Sequence, residues 1–145
     1  MTDSLSILSH STKRMSKNWR VDGGMDSYDS GKNFTLQEFP VGNIYELSSL
    51  LLKLENQPKS CLIRGKHKGE VKGRVLRRHE FFTDQPLHSI LIEVDNYKPL
   101  TGNPVMEPEV CAEEYISTIL PKEFHGISYH WQLSNSAGYK GKEHL

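Results

Sequence analysis

The chain has only two cysteines, Cys61 and Cys111, each in an otherwise apolar run and neither with a second ligand at metal-binding spacing. That gives no disulfide framework and no zinc motif, and it leaves two buried free thiols in a reducing cytoplasm as the expectation. Net charge is lacking too: 18 basic residues balance 18 acidic ones, so bulk charge selects no partner. No apolar run approaches the length needed to span a bilayer, and the N-terminus lacks a signal peptide's apolar core. A cytoplasmic protein without a membrane partner follows. Internal repeats and low-complexity blocks are also absent.

What is present is unevenly distributed. The length of 145 residues suits one domain with a modest core. Between Arg64 and His79 seven Lys or Arg residues face only Glu70, whereas from Glu93 to Glu114 six acids face only Lys98. A basic segment is thus followed by an acidic one. Residues 1–35 read as a flexible N-terminal segment, because the Ser, Gly, Asp and Lys there bury too little to offset ordering entropy. Residues 36–145 read as the folded part.

Within that part, Asn43 and Glu46 fit a helix N-terminal capping pair, with Ile44, Leu47, Leu51 and Leu54 as one apolar stripe ended by Asn56-Gln57-Pro58. Ser60 to Gly65 reads as a strand, Lys66 to Gly73 as a loop or exposed hairpin, and Val75 to Arg78 as a returning strand. Ser89 to Asp95 is the central expectation, a short strand with Ile90, Ile92 and Val94 on one face and Leu91, Glu93 and Asp95 on the other. A proline-rich loop, 96–108, leads to a second helix over 108–120, with Pro108 in its first turn and Pro121 as its stop. Gly126 to Ser136 alternates Ile127, Tyr129, Trp131 and Leu133 with Ser128, His130, Gln132 and Ser134, the pattern of a half-buried strand. The class is therefore α+β, a sheet with helices on one face.

Two carboxylates two positions apart on a strand lie roughly 7 Å apart along the backbone. Glu93 and Asp95 are thus spaced to hold a divalent cation for phosphoryl chemistry, or equally to sit solvated on an exposed edge. Acids are poor strand formers, which favours a functional reason for two in a run of Ile, Leu and Val. Arg64, Arg77 and Arg78 border apolar runs and suit phosphate oxygens, while Lys66, Lys68 and Lys72 read as solubilising. The polar face from Ser128 through Ser134 to Ser136 suggests the wall of a cleft.

The run Ile90-Leu91-Ile92-Glu93-Val94-Asp95-Asn96-Tyr97 resembles the first motif of the archaeo-eukaryotic primase superfamily. The tract Trp131 to Gly138 is similar to the segment leading into its second motif in phage and plasmid replication proteins. Leu62-Ile63-Arg64-Gly65 and Val75-Leu76-Arg77-Arg78 resemble the segments before the acids. The resemblance implies an RRM-like catalytic core and a nucleotidyl transferase, a DNA primase or primase-polymerase joining nucleoside triphosphates on a single-stranded DNA template. Glu93 and Asp95 would hold Mg²⁺ or Mn²⁺. Arg64, Arg77, Arg78, Ser134 and Ser136 would contact nucleotide or nucleic acid, and His144 stands near the place of the second-motif histidine, with Lys142 where the family prefers Ser.

The family's third acidic motif has no counterpart. The resemblance therefore implies an incomplete domain, truncated before its last strands, from a longer replication protein with a possible helicase downstream. Two other readings stay open: a non-catalytic single-stranded nucleic-acid-binding module built on the basic segment, and a sugar-nucleotide transferase using the acid pair.

Overall fold

The computed structural model describes residues 2–29, 31–63, 65–78, 82–94 and 97–133. The chain is a small mixed α+β protein that divides into two compact units, residues 1–18 with 27–90 and residues 19–26 with 91–145.

The first unit is built on β1 (Asp3–Ser9), the middle strand of an antiparallel sheet in the order β4-β1-β5. β4 is Thr35–Val41 and β5 is Ser60–Ile63. β4 pairs with β1 along its whole length, from Asp3 opposite Val41 to Ser9 opposite Thr35. β5 covers only the far half, Ser6 to Ser9. Leu5, Ile7 and Leu8 are buried, as a central strand with two covered faces requires. On the face carrying Leu8, the core gathers Phe34 and Val75, with Met15, Leu36, Cys61, Ile63 and Phe82 packed around them.

This corrects the reading of residues 1–35 as a flexible N-terminal segment. Their serines keep the segment polar in sequence, yet Ser6 is itself buried and Ser4 and Ser6 donate to the Glu38 carboxylate. Ser9 and Ser60 share a further hydroxyl hydrogen bond of 2.8 Å. Polar strand residues are accommodated here by cross-strand partners.

α1 (Ile44–Glu55) starts as expected. The Asn43 side chain accepts from the Glu46 backbone N–H at 3.0 Å, and the Glu46 carboxylate accepts in return from the Gly42 N–H at 2.8 Å. The helix packs beside β4. β6 (Lys66–His67) pairs with β7 (Phe82–Thr83), and His67 meets the Phe82 ring edge-on at 5.4 Å. The returning strand expected over 75–78 is reduced to one antiparallel bridge, Val75 to Phe34, closed by two 2.8 Å hydrogen bonds.

In the second unit, a tight turn from Trp19, the last residue of β2 (Asn18–Trp19), to β3 (Met25–Asp26) is closed by Arg20 N–H to Gly24 C=O at 2.8 Å. The Arg20 guanidinium reaches both Asp22 and Asp26. α2 (Pro108–Thr118) has Pro108 at its start, as expected, and a short 3₁₀ turn, Lys122–Phe124, follows Pro121.

Two expected strands do not form among the described residues. Positions 89–94 and 126–133 carry no ladder, and Ile90 and Leu91 are 66% and 81% exposed. Alternation supplied a face for each segment, but a strand also needs a neighbour to take its N–H and C=O groups. The sheet with helices on one face is accordingly replaced by several small antiparallel sheets.

Candidate functional site

The half of β1 that β5 leaves uncovered is closed by the segment leading into the acids. The Gln85 side-chain amide donates to the Ser4 carbonyl at 2.7 Å. The Asp3 carboxylate, nearly buried, accepts the His88 backbone N–H at 3.0 Å and the Ser89 hydroxyl at 3.1 Å, and it lies 2.8 Å from His88 Nδ1. The His88 backbone N–H, opposed in part by burial, holds the Asp3 carboxyl below its ordinary value. This N–H is thereby taken by a side chain, which removes it from any β-ladder. Ser89 donates to Asp3 rather than to an imidazole, so the trio is an anchor and lacks the geometry of an activated serine.

From Ile90 the backbone runs on without a ladder to Val94, and the Glu93 carboxylate is exposed. Asp95, its expected partner in metal binding, lies outside the described residues, as do Arg64, Ser134, Ser136 and His144. Among the described residues no three His, Cys, Asp or Glu side chains come together as a metal-holding group. Glu93 is a hard oxygen donor of the kind that Mg²⁺ or Mn²⁺ takes, and in the described part of its segment it is the single one.

The loop after the acids is fixed to α2 through Glu114. Its carboxylate accepts from the Tyr97 hydroxyl at 2.5 Å, from the Leu100 and Thr101 backbone N–H groups at 2.7 Å each, and from the Thr101 hydroxyl. The Thr101 and Tyr97 hydroxyls, followed by the Leu100 N–H, lower its pKa to about 2. Tyr97 also meets Tyr115 edge-on at 5.0 Å. Beneath this loop Cys111 is fully buried, its thiol pushed up by burial and by the nearby Glu114 and Glu107 charges. Cys61 is half-buried and is likewise pushed up by burial, with the Arg77 charge opposing. Both thiols are held in their neutral, unreactive form. The 126–133 segment also feels α2, because burial and then the Glu113 and Glu109 charges raise the Tyr129 phenol.

Arg77 and Arg78 are exposed just beyond the Val75 bridge, in the first unit, whereas Glu93 belongs to the second. A shallow groove of about 350 Å³ beside α1, lined by Phe39, Val41, Tyr45 and Leu50 among others, carries none of the expected site residues. Asp3 in the first unit and Glu114 in the second, each a carboxylate that gathers several donors, were not anticipated. For Asp3 a signal existed in the alternation of Leu5 and Ile7 with Ser4 and Ser6, which marks β1. Glu114 had no local signal, since its four donors come from a loop 13 to 17 positions earlier. Among the described residues no helix is long and apolar enough to cross a membrane. Comparison of the chain with protein-family models, with curated proteins and with solved structures gives no match.

Proposed function

We propose that the chain is part of a metal-dependent nucleotidyl transferase of the primase-polymerase type, acting in the cytoplasm on a single-stranded DNA template with nucleoside triphosphates. The observation that carries this reading is the state of the two motif-bearing segments. Each alternates apolar and polar side chains, yet Ile90, Leu91, Ile127 and Tyr129 remain exposed and no ladder forms among the described residues of either segment. Such segments read as strands in sequence while their described residues form no ladder, and in this proposal they belong to an RRM-like core.

In this reading the Glu93 carboxylate, already exposed at the end of an anchored segment, provides one hard ligand and Asp95 the other. A divalent cation would supply neutralisation of charge developing on the attacking 3′-hydroxyl and the departing pyrophosphate. Arg77 and Arg78, with Arg64, contribute guanidinium contacts to phosphate oxygens. Ser134, Ser136 and His144 belong to the nucleotide side of the site. The order of the four resembling segments supports the same assignment.

The test uses the full natural product that contains these residues, incubated with single-stranded template, nucleotides and Mn²⁺. Dinucleotide synthesis that is lost in both Glu93→Ala and Asp95→Ala is expected, and synthesis that survives either change refutes the assigned roles. A second reading, non-catalytic binding of single strands, is favoured by the exposure of Arg77 and Arg78. It predicts no nucleotide addition and an affinity indifferent to chelator.

A further inference from the structure

The connection that leaves β6 passes through Lys66, Lys68, Lys72 and Arg74 before Arg77 and Arg78, and all six side chains are exposed. The sequence left the three lysines as solubilising residues. Their setting argues for more.

The connection is held at both ends. Gly65 is buried at φ +102°, and a Cβ there would stand 2.6 Å from the Thr83 carbonyl oxygen, so backbone packs on backbone at the exit. At the return, Val75 is buried and exchanges two hydrogen bonds with Phe34 in the core. The cations between these points are therefore presented from a fixed base. At the outer positions, Gly69 and Gly73 have nothing within 4 Å of where a Cβ would be, so the backbone is open to a bulky ligand.

Within the stretch itself the counter-charge is slight. Glu70 is the one acid of the stretch, and its 3.2 Å pair with Lys72 is highly exposed on both sides. Such a pair contributes little and yields to a competing phosphate. The stretch also has little to serve as an apolar anchor, because Val71, at 38% exposure, is its one exposed large apolar residue and Leu76 is half-buried beside the Val75 bridge. An amphipathic membrane-binding segment needs Trp, Phe or Leu beside its cations. A row of cations without such an anchor suits the sugar–phosphate backbone of a nucleic acid.

We propose that residues 66–78 form a nucleic-acid-binding arm in which Lys66, Lys68 and Lys72, together with Arg74, track the phosphates of a single strand. The choice of single strands over duplex rests on the transferase reading above; the phosphate contacts stand on the arm's own geometry. Sequence preference is not expected, since phosphate contacts position a strand without reading it.

The experiment titrates the 145-residue chain into a fluorescein-labelled 15-nucleotide single-stranded DNA, followed by anisotropy at several KCl concentrations. Four phosphate contacts give a log–log salt slope of about −3, so affinity falls about fifty-fold between 50 and 200 mM salt. Replacing Lys66, Lys68 and Lys72 together by Ser should flatten the slope by about 2 and weaken binding more than ten-fold at 100 mM salt. Glu70→Lys should tighten binding, a gain that misfolding cannot imitate. The inference is overturned if the wild type does not bind, if the triple variant binds like the wild type, if Glu70→Lys weakens binding, or if duplex or phosphatidylserine vesicles compete better than the single strand. If the arm binds as expected but the full product adds nucleotides without Glu93 or Asp95, the transferase reading falls and the arm stands. If addition needs both acids while the triple variant binds normally, the arm falls instead.

Discussion

Truncating Leu8 to Ala separates a central β1 from a mobile N-terminal arm. Leu8 is completely buried, opposite Leu36 on β4 and Cys61 on β5, with Phe34 and Val75 completing its surroundings. Removing its isopropyl group costs the transfer free energy of the lost carbons plus a cavity term, together about 2–5 kcal/mol for Leu→Ala. The lower end of that range does not apply, because strands on both sides and two buried apolar side chains on the same face prevent collapse around the gap. A loss of about 3–4 kcal/mol is a large fraction of the roughly 5–15 kcal/mol that holds a typical domain. With a urea m-value of about 2 kcal/mol/M, the midpoint should fall by roughly 1.5–2 M at unchanged slope. Leu62→Ala is the internal control: it is 37% exposed on edge strand β5 and should cost about 1 kcal/mol or less. Equilibrium unfolding followed by far-UV circular dichroism reads both variants. A Leu8→Ala protein within about 0.5 kcal/mol of the wild type, the usual scale for surface changes, would refute the placement of β1 in the core.

Gly65→Ala should destabilise by at least about 1–3 kcal/mol from its left-handed backbone alone, with the Thr83 contact adding to it. Gly69→Ala, at positive φ but in open space, should cost less, so equal urea midpoints for the two would contradict the packing at Gly65. The pH dependence of the second unit should follow Glu114. Its folded pKa of about 2 lies below the ordinary 4.5, so its contribution is complete above the unfolded value and is lost as pH falls through about 2. Near-UV circular dichroism of tyrosine should show that acid transition in the wild type, and Glu114→Gln should abolish it; an unchanged transition would place the titrating group elsewhere.

What was legible in the sequence was what is decided locally. The start of α1 rests on Asn43 and Glu46, three positions apart, and α2 begins at Pro108 and ends before Pro121, so caps and breakers sufficed. The apolar run of β5 was equally plain. β1 was missed despite its alternation, because its burial comes from partners about 30 and 50 positions away, on β4 and β5, and its serines find Glu38 and Ser60 only once those strands lie beside it. The error over Ser89–Asp95 had the opposite origin. Its alternation is as regular as that of β1, but the His88 N–H is held by the Asp3 carboxylate, and the described part of the segment meets no strand to complete a ladder. Periodicity states which face a strand would bury, and pairing decides whether there is a strand at all. The same distinction governs the candidate site. Glu93 stood out by its setting among Ile, Leu and Val and is exposed, whereas Asp3 in the first unit and Glu114 in the second draw their donors from 85 positions later and 13 to 17 positions earlier. Charge pattern thus marked a candidate position, while carboxylates such as Asp3 and Glu114 become visible only once distant backbone N–H groups converge on them.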